Sequence, residues 1–207
     1  MRSVYRLIPL AAALLLPGLA QARAPASHGG VLDRSLSRHE TERRLRSLRS
    51  EVHHLARCGQ RPVVVFDIDD TLIKHRDGQQ RAKRGAVAYV NSLAEAGATI
   101  VYLTARPAYK RQGTESLLRT QGFPVGRGAT LLVNDSGLQD ATAWKRSARP
   151  RIIQLGTPVA FFDNDYGHVR AYRDQYPTSH VFRLNTRSGR PDPGGAGLFE
   201  VIDHFFY

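Results

Sequence analysis

The sequence is poor in cysteine and in acidic residues. Cys58 is the only cysteine among the 207 residues, so no intramolecular disulfide can form and stability must come from a packed core. Asp and Glu number 18 against 30 Lys and Arg, which gives a formal net charge of +12. This surplus indicates either an anionic partner (a phosphate ester, nucleic acid, lipid head group or envelope polymer) or a basic surface without a specific partner.

Long apolar runs are also scarce. One run extends from Leu7 to Ala20, follows two arginines and precedes two small-x-small sequences. It is too short for an ordinary membrane span, and these features are typical of a secretory signal peptide. We expect a signal peptide at residues 1–22, cleaved after Ala22, no transmembrane span after cleavage, and a periplasmic or secreted protein. A retained N-terminal anchor is the alternative; a lipoprotein anchor is not expected, because no cysteine follows the cut.

Helical periodicity marks the part of the chain that follows. Leu45, Leu48, Val52 and Leu55 recur at steps of three and four residues, which predicts a helix within an N-terminal helical extension at residues 23–60. Its arginines indicate a solvated helix face or, alternatively, a polyanion-binding face. Ser37 and Glu40 have the spacing of a capping box, and Gly59 is a suitable stop.

Residues 61–207 have the pattern of one α/β domain. Short apolar runs alternate with helical patterns, which indicates a Rossmann-like three-layer sandwich with a mainly parallel five-stranded sheet and no large cap domain. The predicted strands are 62–67, 98–103, 130–133, 158–162 and 180–184. The predicted helices are 84–96, 107–121, 144–148, 166–175 and a final apolar segment, 198–206. Residues 187–197, rich in Pro and Gly, are predicted to be a loop.

The first predicted strand ends abruptly in acids. After Val63–Phe66 come Asp67, Asp69, Asp70 and Thr71. Carboxylates are not buried unpaired, so they must lie where the strand leaves the core, at the sheet edge where ligands bind in α/β proteins. Two carboxylates so close together favour a divalent cation, and oxygen ligands suit Mg²⁺.

Other strands end in groups that suit phosphoryl transfer. Thr104 follows the second strand, Asp163 follows the fourth, and Lys145 begins the helix before the fourth. A carboxylate can attack phosphorus, and a second one can move the leaving-group proton and activate water. A hydroxyl and a lysine can hold the phosphoryl oxygens while a metal neutralises the developing charge.

The ordered set Asp67-x-Asp69-x-Thr71, Thr104, Lys145 and Asp163 resembles the four motifs of the haloacid dehalogenase (HAD) superfamily, over roughly residues 61–184. The resemblance implies a phosphatase with Asp67 as nucleophile and Asp69 as general acid/base. It also implies that Thr104 and Lys145 bind the phosphoryl group. Mg²⁺ would be held by Asp67, the carbonyl of Asp69 and Asp163.

The last motif departs from the family pattern. Many members carry a second acid four or five residues after the first, where this chain has Gly167 and His168. Asp165 is therefore a second candidate metal ligand, with capping of the next helix as the alternative. Asn164 either orients a metal-bound water or caps that helix. His168, like the pair His53 and His54, is expected to be a surface histidine.

Several residues near the motifs have two interpretations. Arg106 either reaches the substrate or shapes the loop after the second strand. Asp70 is expected to be structural, Thr71 to fix the turn after the nucleophile, and Trp144 to pack in the core. The polar stretch 74–84 is predicted to be a flap or hairpin that turns at Asp77-Gly78. Its basic residues either bind an anionic substrate or are solvated; they are His75, Arg76, Arg81, Lys83 and Arg84.

The flap is short, and the interval between Val133 and Lys145 has no room for a cap domain. The site should be open, and the first motif resembles that of exported bacterial acid phosphatases. We expect an exported, Mg²⁺-dependent phosphomonoesterase that acts on a small phosphorylated substrate through an aspartyl-phosphate. The alternatives are a nucleotide or nucleic-acid-end phosphatase and an inactive HAD-fold anion-binding protein. A phospho-receiver is disfavoured, because its last acid should precede the Thr and Lys, whereas Asp163 comes last.

Overall fold

The computed structural model describes residues 34–186 and 199–206, so the predicted signal peptide and the predicted loop at 187–197 lie outside it. In chain order the elements are β1 (Arg34–Ser35), α1 (Arg38–Arg57), β2 (Pro62–Phe66), β3 (Ile73–Arg76), β4 (Gln79–Ala82), α2 (Ala86–Glu95), β5 (Thr99–Pro107), a 3₁₀ turn (Ala108–Lys110), α3 (Arg111–Thr120), β6 (Ala129–Asn134), α4 (Ala141–Ser147), α5 (Arg149–Leu155), β7 (Thr157–Asp163), α6 (Tyr166–Gln175), β8 (His180–Leu184) and β9 (Glu200–Ile202). None of the described helices is both long and apolar enough to cross a membrane.

The central sheet has seven parallel strands in the order β1-β9-β8-β7-β2-β5-β6. The predicted five strands are all present, but two more, β1 and β9, extend one edge. The helix predicted at 198–206 was wrong, because Glu200–Ile202 pairs with β8 as a strand. A short apolar run fits a buried strand and a buried helix equally well, and here tertiary pairing decides between them.

The strands are apolar on both faces because helices cover both. Val64 and Phe66 of β2 face one core cluster, which also contains residues of α1, α2 and α3. Val63 and Val65 face a second cluster, with residues of α4, α5 and α6. The predicted three-layer arrangement is therefore confirmed, and the absence of alternation in β2 reflects burial on both sides.

Helix α1 begins as the sequence predicts. The Ser37 side chain accepts a hydrogen bond from the Glu40 N–H, and the Glu40 carboxylate accepts one from the Ser37 N–H, which completes the capping box. Leu45, Leu48 and Val52 are buried in the first core cluster. The helix is thus anchored to the sheet by its apolar stripe, while His53 and His54 are exposed, as expected.

The flap is a two-stranded antiparallel hairpin of β3 and β4. Asp77 and Gly78 form its turn with positive φ angles of 50° and 72°, which is the geometry that favours Asp-Gly in tight hairpins. The predicted single helix at 144–148 is instead two consecutive helices, α4 and α5. Pro150 lies in the first turn of α5, where a missing N–H costs nothing.

Strand β2 lies where the winding of the sheet reverses. The chain proceeds from β2 to β5 and β6 on one side, then returns to β7 and β8 on the other. Such a reversal opens a crevice at the carboxyl ends of the strands. Phe66 pairs with Phe162 of β7, and the Asp67 N–H donates to the Phe162 carbonyl at 2.9 Å. This register brings the residues that follow β2 next to the end of β7.

Candidate active site

Lys145 joins the ends of two neighbouring strands. Its Nζ donates to Asp67 Oδ1 at 2.8 Å and to Asp163 Oδ2 at 2.7 Å. The three residues are buried, with exposed fractions of 2%, 6% and 0% respectively. Asp140 caps the helix that carries Lys145 by accepting from the Thr142 N–H at 2.8 Å. Three residues singled out in the sequence therefore form one ion cluster at the predicted sheet edge.

Helix α6 supplies two further members of this cluster. His168 Nδ1 lies 3.1 Å from Asp163 Oδ1 and 3.1 Å from Lys145 Nζ. The Tyr172 hydroxyl donates to Asp163 Oδ2 at 3.1 Å. The expectation that His168 is a surface histidine was wrong, because α6 starts directly after β7 and turns this residue back onto the strand end. Tyr172, four residues later on the same helix face, was not singled out, although this spacing was a usable signal.

The pKa values of the buried carboxylates and of the buried ammonium are shifted from their usual values. Burial raises the pKa of Asp67 to about 6, and the charge of Asp163 adds to this effect against the opposing pull of Lys145. Burial also disfavours the ionised form of Asp163, but Lys145 and His168 outweigh it and hold the pKa of Asp163 below its usual range. Although burial opposes it, the two carboxylates raise the pKa of Lys145. One ammonium thus forms ion pairs with two carboxylates in a site from which water is largely excluded.

Thr104 lies within β5 at the same edge and is buried. Its Oγ1 accepts from the Arg106 N–H at 3.2 Å, and its carbonyl accepts from Trp144 Nε1 at 2.9 Å. Trp144 is 2% exposed, which confirms that it packs in the core. Because Trp144 precedes Lys145, this bond fixes α4 against β5.

Asp69 forms a second, more exposed ion cluster. Arg106 donates from Nε to Asp69 Oδ2 at 2.9 Å and from Nη2 to Asp69 Oδ1 at 2.6 Å. His75 Nε2 of the flap lies 2.7 Å from the same Oδ1. Burial raises the pKa of Asp69, but Arg106 and His75 outweigh it and lower the pKa overall. Arg106 therefore holds the predicted acid/base carboxylate, a contact that neither interpretation of the sequence included.

The remaining motif residues shape the turns. Asp165 Oδ1 accepts from the N–H groups of Gly167 and His168 at 2.8 and 3.3 Å, so its side chain caps α6. Thr71 Oγ1 donates to Asn164 Oδ1 at 3.3 Å, which ties the turn after β2 to the end of β7. Asp70 has a positive φ of 59°, consistent with a structural role in that turn.

The donor set at the edge suits Mg²⁺. No group of three or more His, Cys, Asp or Glu able to hold a metal occurs within residues 34–186 and 199–206. The expected ligand set needs only the Asp67 and Asp163 carboxylates with the Asp69 carbonyl, all hard oxygen donors. These two carboxylates already converge on one cation, Lys145, so their oxygens lie close together at this edge.

Residues 64–174 match the family model described as PITM 1-3, LNS2 domain. This match covers more than half of the chain. The chain belongs to the LNS2 family. The matched region of this LNS2 chain includes Asp67, Asp69, Thr104, Lys145 and Asp163, and it is consistent with the HAD-like phosphatase resemblance. No curated protein matches the sequence.

Chains in two structures of the Pnkp1/Rnl/Hen1 complex share the fold of this LNS2 chain. A chain in a structure of the Pnkp1/Rnl/Hen1 complex has a TM-score of 0.55 and 18% identity, over 64% of this chain and 48% of that chain. A chain in the Pnkp1/Rnl/Hen1 RNA repair complex has a TM-score of 0.54 and 18% identity, over 63% and 44%. The class C acid phosphatase from Bacillus anthracis has a TM-score of 0.49 and 15% identity, over 70% and 80%. This LNS2 chain thus spans less than half of the Pnkp1-complex chains, and the likeness to them concerns the fold.

Proposed function

We propose that the protein is a Mg²⁺-dependent phosphomonoesterase that acts through an aspartyl-phosphate on Asp67. The observation that carries this proposal is the buried contact of Lys145 with both Asp67 and Asp163. A carboxylate fixed at a sheet edge beside a buried ammonium is suited to attack an anionic phosphoryl group, since the ammonium reduces the repulsion between them.

Each residue has a defined part in the proposed reaction. Asp67 attacks phosphorus as the bond to the leaving oxygen breaks, and the minor protonated form of Asp69, which its lowered pKa makes the stronger acid, gives that oxygen a proton. Asp69 then takes a proton from the water that attacks the aspartyl-phosphate, which releases inorganic phosphate and regenerates Asp67. Lys145 and the Thr104 hydroxyl hold the phosphoryl oxygens. Arg106 donates hydrogen bonds to both oxygens of Asp69 and so keeps this carboxylate oriented between the two proton transfers.

The metal would be held by the Asp67 and Asp163 carboxylates and the Asp69 carbonyl. When bound, Mg²⁺ supplies positive charge that stabilises the phosphoryl oxygens during transfer. Asp165 is a weaker candidate ligand, since its Oδ1 already accepts from two N–H groups of α6. Direct coordination by Asp165 would compete with this capping.

Turnover of p-nitrophenyl phosphate with Mg²⁺ and with EDTA tests the proposal. Activity should disappear with EDTA and return with Mg²⁺, and Asp67→Asn should lower kcat by about 10³-fold or more. Asp135→Asn is the matched control, because Asp135 is an exposed acid after β6 at the same sheet edge, bound to Arg151 at 2.9 Å. Full activity of Asp67→Asn contradicts the proposed nucleophile, and no activity in the parent protein supports an inactive anion-binding fold.

The alternative substrate class is a nucleic-acid end or a nucleotide. It is favoured by the net charge of +12 and by the short flap, which leaves the edge open to a large substrate. Part of one chain in the Pnkp1/Rnl/Hen1 RNA repair complex shares the fold, and this gives a further reason to test nucleic-acid ends. Higher kcat/KM for a 3′-phosphorylated oligonucleotide than for nucleoside monophosphates would select this class.

We also propose that residues 1–22 direct export and are removed after Ala22. This part of the proposal rests on the sequence pattern alone. N-terminal sequencing of the protein from the periplasm or medium should begin at Arg23; recovery of the uncleaved chain with membranes would favour the retained anchor.

A further inference from the structure

A cavity of about 580 Å³ lies beside the proposed active site. Its walls come from four parts of the chain: the flap, the segment between the flap and α2, the segment after β8 and the segment after β9. The lining residues include Lys74, Arg76, Lys83, Asn185, Asp203 and His204. The volume lies in the range of small-molecule sites.

Lys83 is the most distinctive wall residue. It is 4% exposed, and among the described residues no carboxylate forms an ion pair with its ammonium. Its backbone is fixed on both sides, since its N–H donates to the Leu72 carbonyl at 2.8 Å and its carbonyl accepts from the Ala86 N–H at 3.0 Å. A buried ammonium without a counter-ion is costly, so an anionic ligand in this cavity would relieve that cost.

Close packing at Gly85 holds the opposite wall against Lys83. A Cβ at Gly85 would lie 1.9 Å from the Phe205 carbonyl oxygen, so only glycine permits this approach. The approach brings His204 into the same cavity, and its buried Nδ1 has no hydrogen-bond partner among the described residues. Lys83 and His204, which come from distant segments of the chain, therefore line one space.

The charges around the cavity also favour an anion. Lys74 and Arg76 lie on the flap side of the cavity. The acids of the lining are Asp70 and Asp203, which accepts from Asn185 Nδ2 at 2.9 Å, so three cations, Lys83 included, outnumber two carboxylates. Burial and then the charge of Lys74 lower the pKa of Lys83 to about 8, while the charges of Asp70, Asp203 and Asp67 oppose this effect.

The cavity adjoins the proposed active site, because its lining includes Asp70 and also His75, whose Nε2 lies 2.7 Å from Asp69 Oδ1. We propose that the cavity binds a second phosphate group of the substrate through Lys83, Lys74 and His204, so that the preferred substrates are small phosphomonoesters carrying two phosphate groups. This inference rests on the proposed phosphatase activity of Asp67 and specifies its substrate class.

Matched pairs of esters test the inference. Phosphate release is measured with adenosine 3′-monophosphate against adenosine 3′,5′-bisphosphate, and with fructose 6-phosphate against fructose 1,6-bisphosphate. In at least one pair, kcat/KM per ester should be about ten-fold or more higher for the bisphosphate, as expected for a charge-assisted hydrogen bond. Lys83→Met should bring that ratio close to one, mainly by raising KM for the bisphosphate.

Arg57→Met is the control for charge. Arg57 is exposed at the end of α1, which leads into the start of β2, so it lies at the opposite edge of the sheet. This variant loses one positive charge and should keep both the ratio and the activity on p-nitrophenyl phosphate. If Lys83→Met does not fold, Lys74→Met, an exposed change in the same cavity wall, should lower the ratio several-fold.

The possible failures are distinguishable. Turnover of p-nitrophenyl phosphate with no preference for either bisphosphate, or a preference that persists in Lys83→Met, overturns this inference and leaves the phosphatase proposal intact. If no ester is hydrolysed, the phosphatase proposal fails, and calorimetric titration with the two bisphosphates decides on the cavity. Binding that Lys83→Met weakens about ten-fold supports the anion site, and no difference between the two proteins overturns it.

Discussion

Two lysines are buried among the described residues, and they differ in their ion-pair partners and in the direction of their pKa shifts. Lys145 is 2% exposed and Lys83 is 4% exposed. Burial disfavours the charged form of both, yet the pKa of Lys145 is raised above its usual value, whereas that of Lys83 is lowered to about 8. Lys145 has two carboxylates at 2.7 and 2.8 Å, and Lys83 has no ion-pair partner among residues 34–186 and 199–206.

The comparison shows that ion-pair partners, and not burial alone, determine whether the pKa of a buried lysine is raised or lowered. A paired ammonium stabilises the fold, and its removal leaves buried carboxylates uncompensated. An unpaired ammonium destabilises the fold, so its retention indicates either that an anion joins it or that it is tolerated. Replacing each lysine by methionine, which has a similar volume, should therefore change stability in opposite directions.

Lys145→Met should have the largest effect. It leaves Asp67 and Asp163 without their ammonium, so we expect a loss of about 3–5 kcal/mol in the free energy of unfolding. Turnover of p-nitrophenyl phosphate should fall by about 10³-fold, since the phosphoryl oxygens lose a charged donor. Urea unfolding and steady-state kinetics measure the two effects.

The Lys145 ammonium itself adds no pH dependence to this loss below its unfolded pKa of about 10.4, because its pKa is raised in the fold. The loss should nevertheless grow as the pH rises above about 6, because Asp67, whose pKa is about 6 beside Lys145, loses the ammonium that lowers it. A loss below about 1 kcal/mol would mean that the two carboxylates find another cation, and the contrast with Lys83 would then fail.

Lys83→Met should have the opposite sign and a strong pH dependence. The pKa of Lys83 falls from an ordinary 10.5 to about 8 in the fold, which corresponds to about 3 kcal/mol. Between these two pH values the unfolded chain binds more protons, so the parent protein gains stability as the pH rises. Lys83→Met should be more stable by up to about 3 kcal/mol at pH 7, and this advantage should disappear by about pH 10.5.

Urea unfolding of both proteins at pH 7, 8, 9 and 10 measures this difference. Subtracting the free energy of unfolding of one protein from that of the other removes the titration of groups that both proteins contain. The charged groups that act on Lys83 are among these: Lys74, Asp70, Asp203 and Asp67. Added phosphate should stabilise the parent protein at pH 7 and reduce the advantage of the variant. A pH-independent difference would mean that the Lys83 ammonium is solvated.

The sequence was sufficient to bring Asp67 and Asp163 together, because local patterns determine where their two strands end. A β-branched run ending in acids places Asp67 at a sheet edge, and a parallel neighbour ending in Asp163 must meet it there. The structure adds the Lys145 contact to both. The metal and the catalytic roles of these residues stay predictions, since contacts alone do not test them.

Other features depend on packing between distant segments. The burial of Lys83 requires the residues after β9 to approach Gly85, and β9 itself was predicted to be helical. The place of His168 follows from the direction of α6 after β7, although it occupies the position of the second acid in related motifs. Neither segment shows these contacts in its own periodicity.

Arg106→Gln should have the smallest effect on stability and still affect catalysis. The exposed fractions of the Arg106 and Asp69 side chains are 15% and 38%, so water screens the pair and its loss should cost no more than about 1 kcal/mol. The kcat for p-nitrophenyl phosphate should fall between about ten- and hundred-fold, with little change in KM, because Asp69 loses the group that orients it for proton transfer.

Arg151→Gln is the matched control, since Arg151 Nη1 lies 3.0 and 2.9 Å from the two oxygens of Asp135 on the surface. It should show the same small change in stability and unchanged kcat. An equal loss of kcat in both variants would show that general surface charge, and not the ion pair between Arg106 and Asp69, supports turnover.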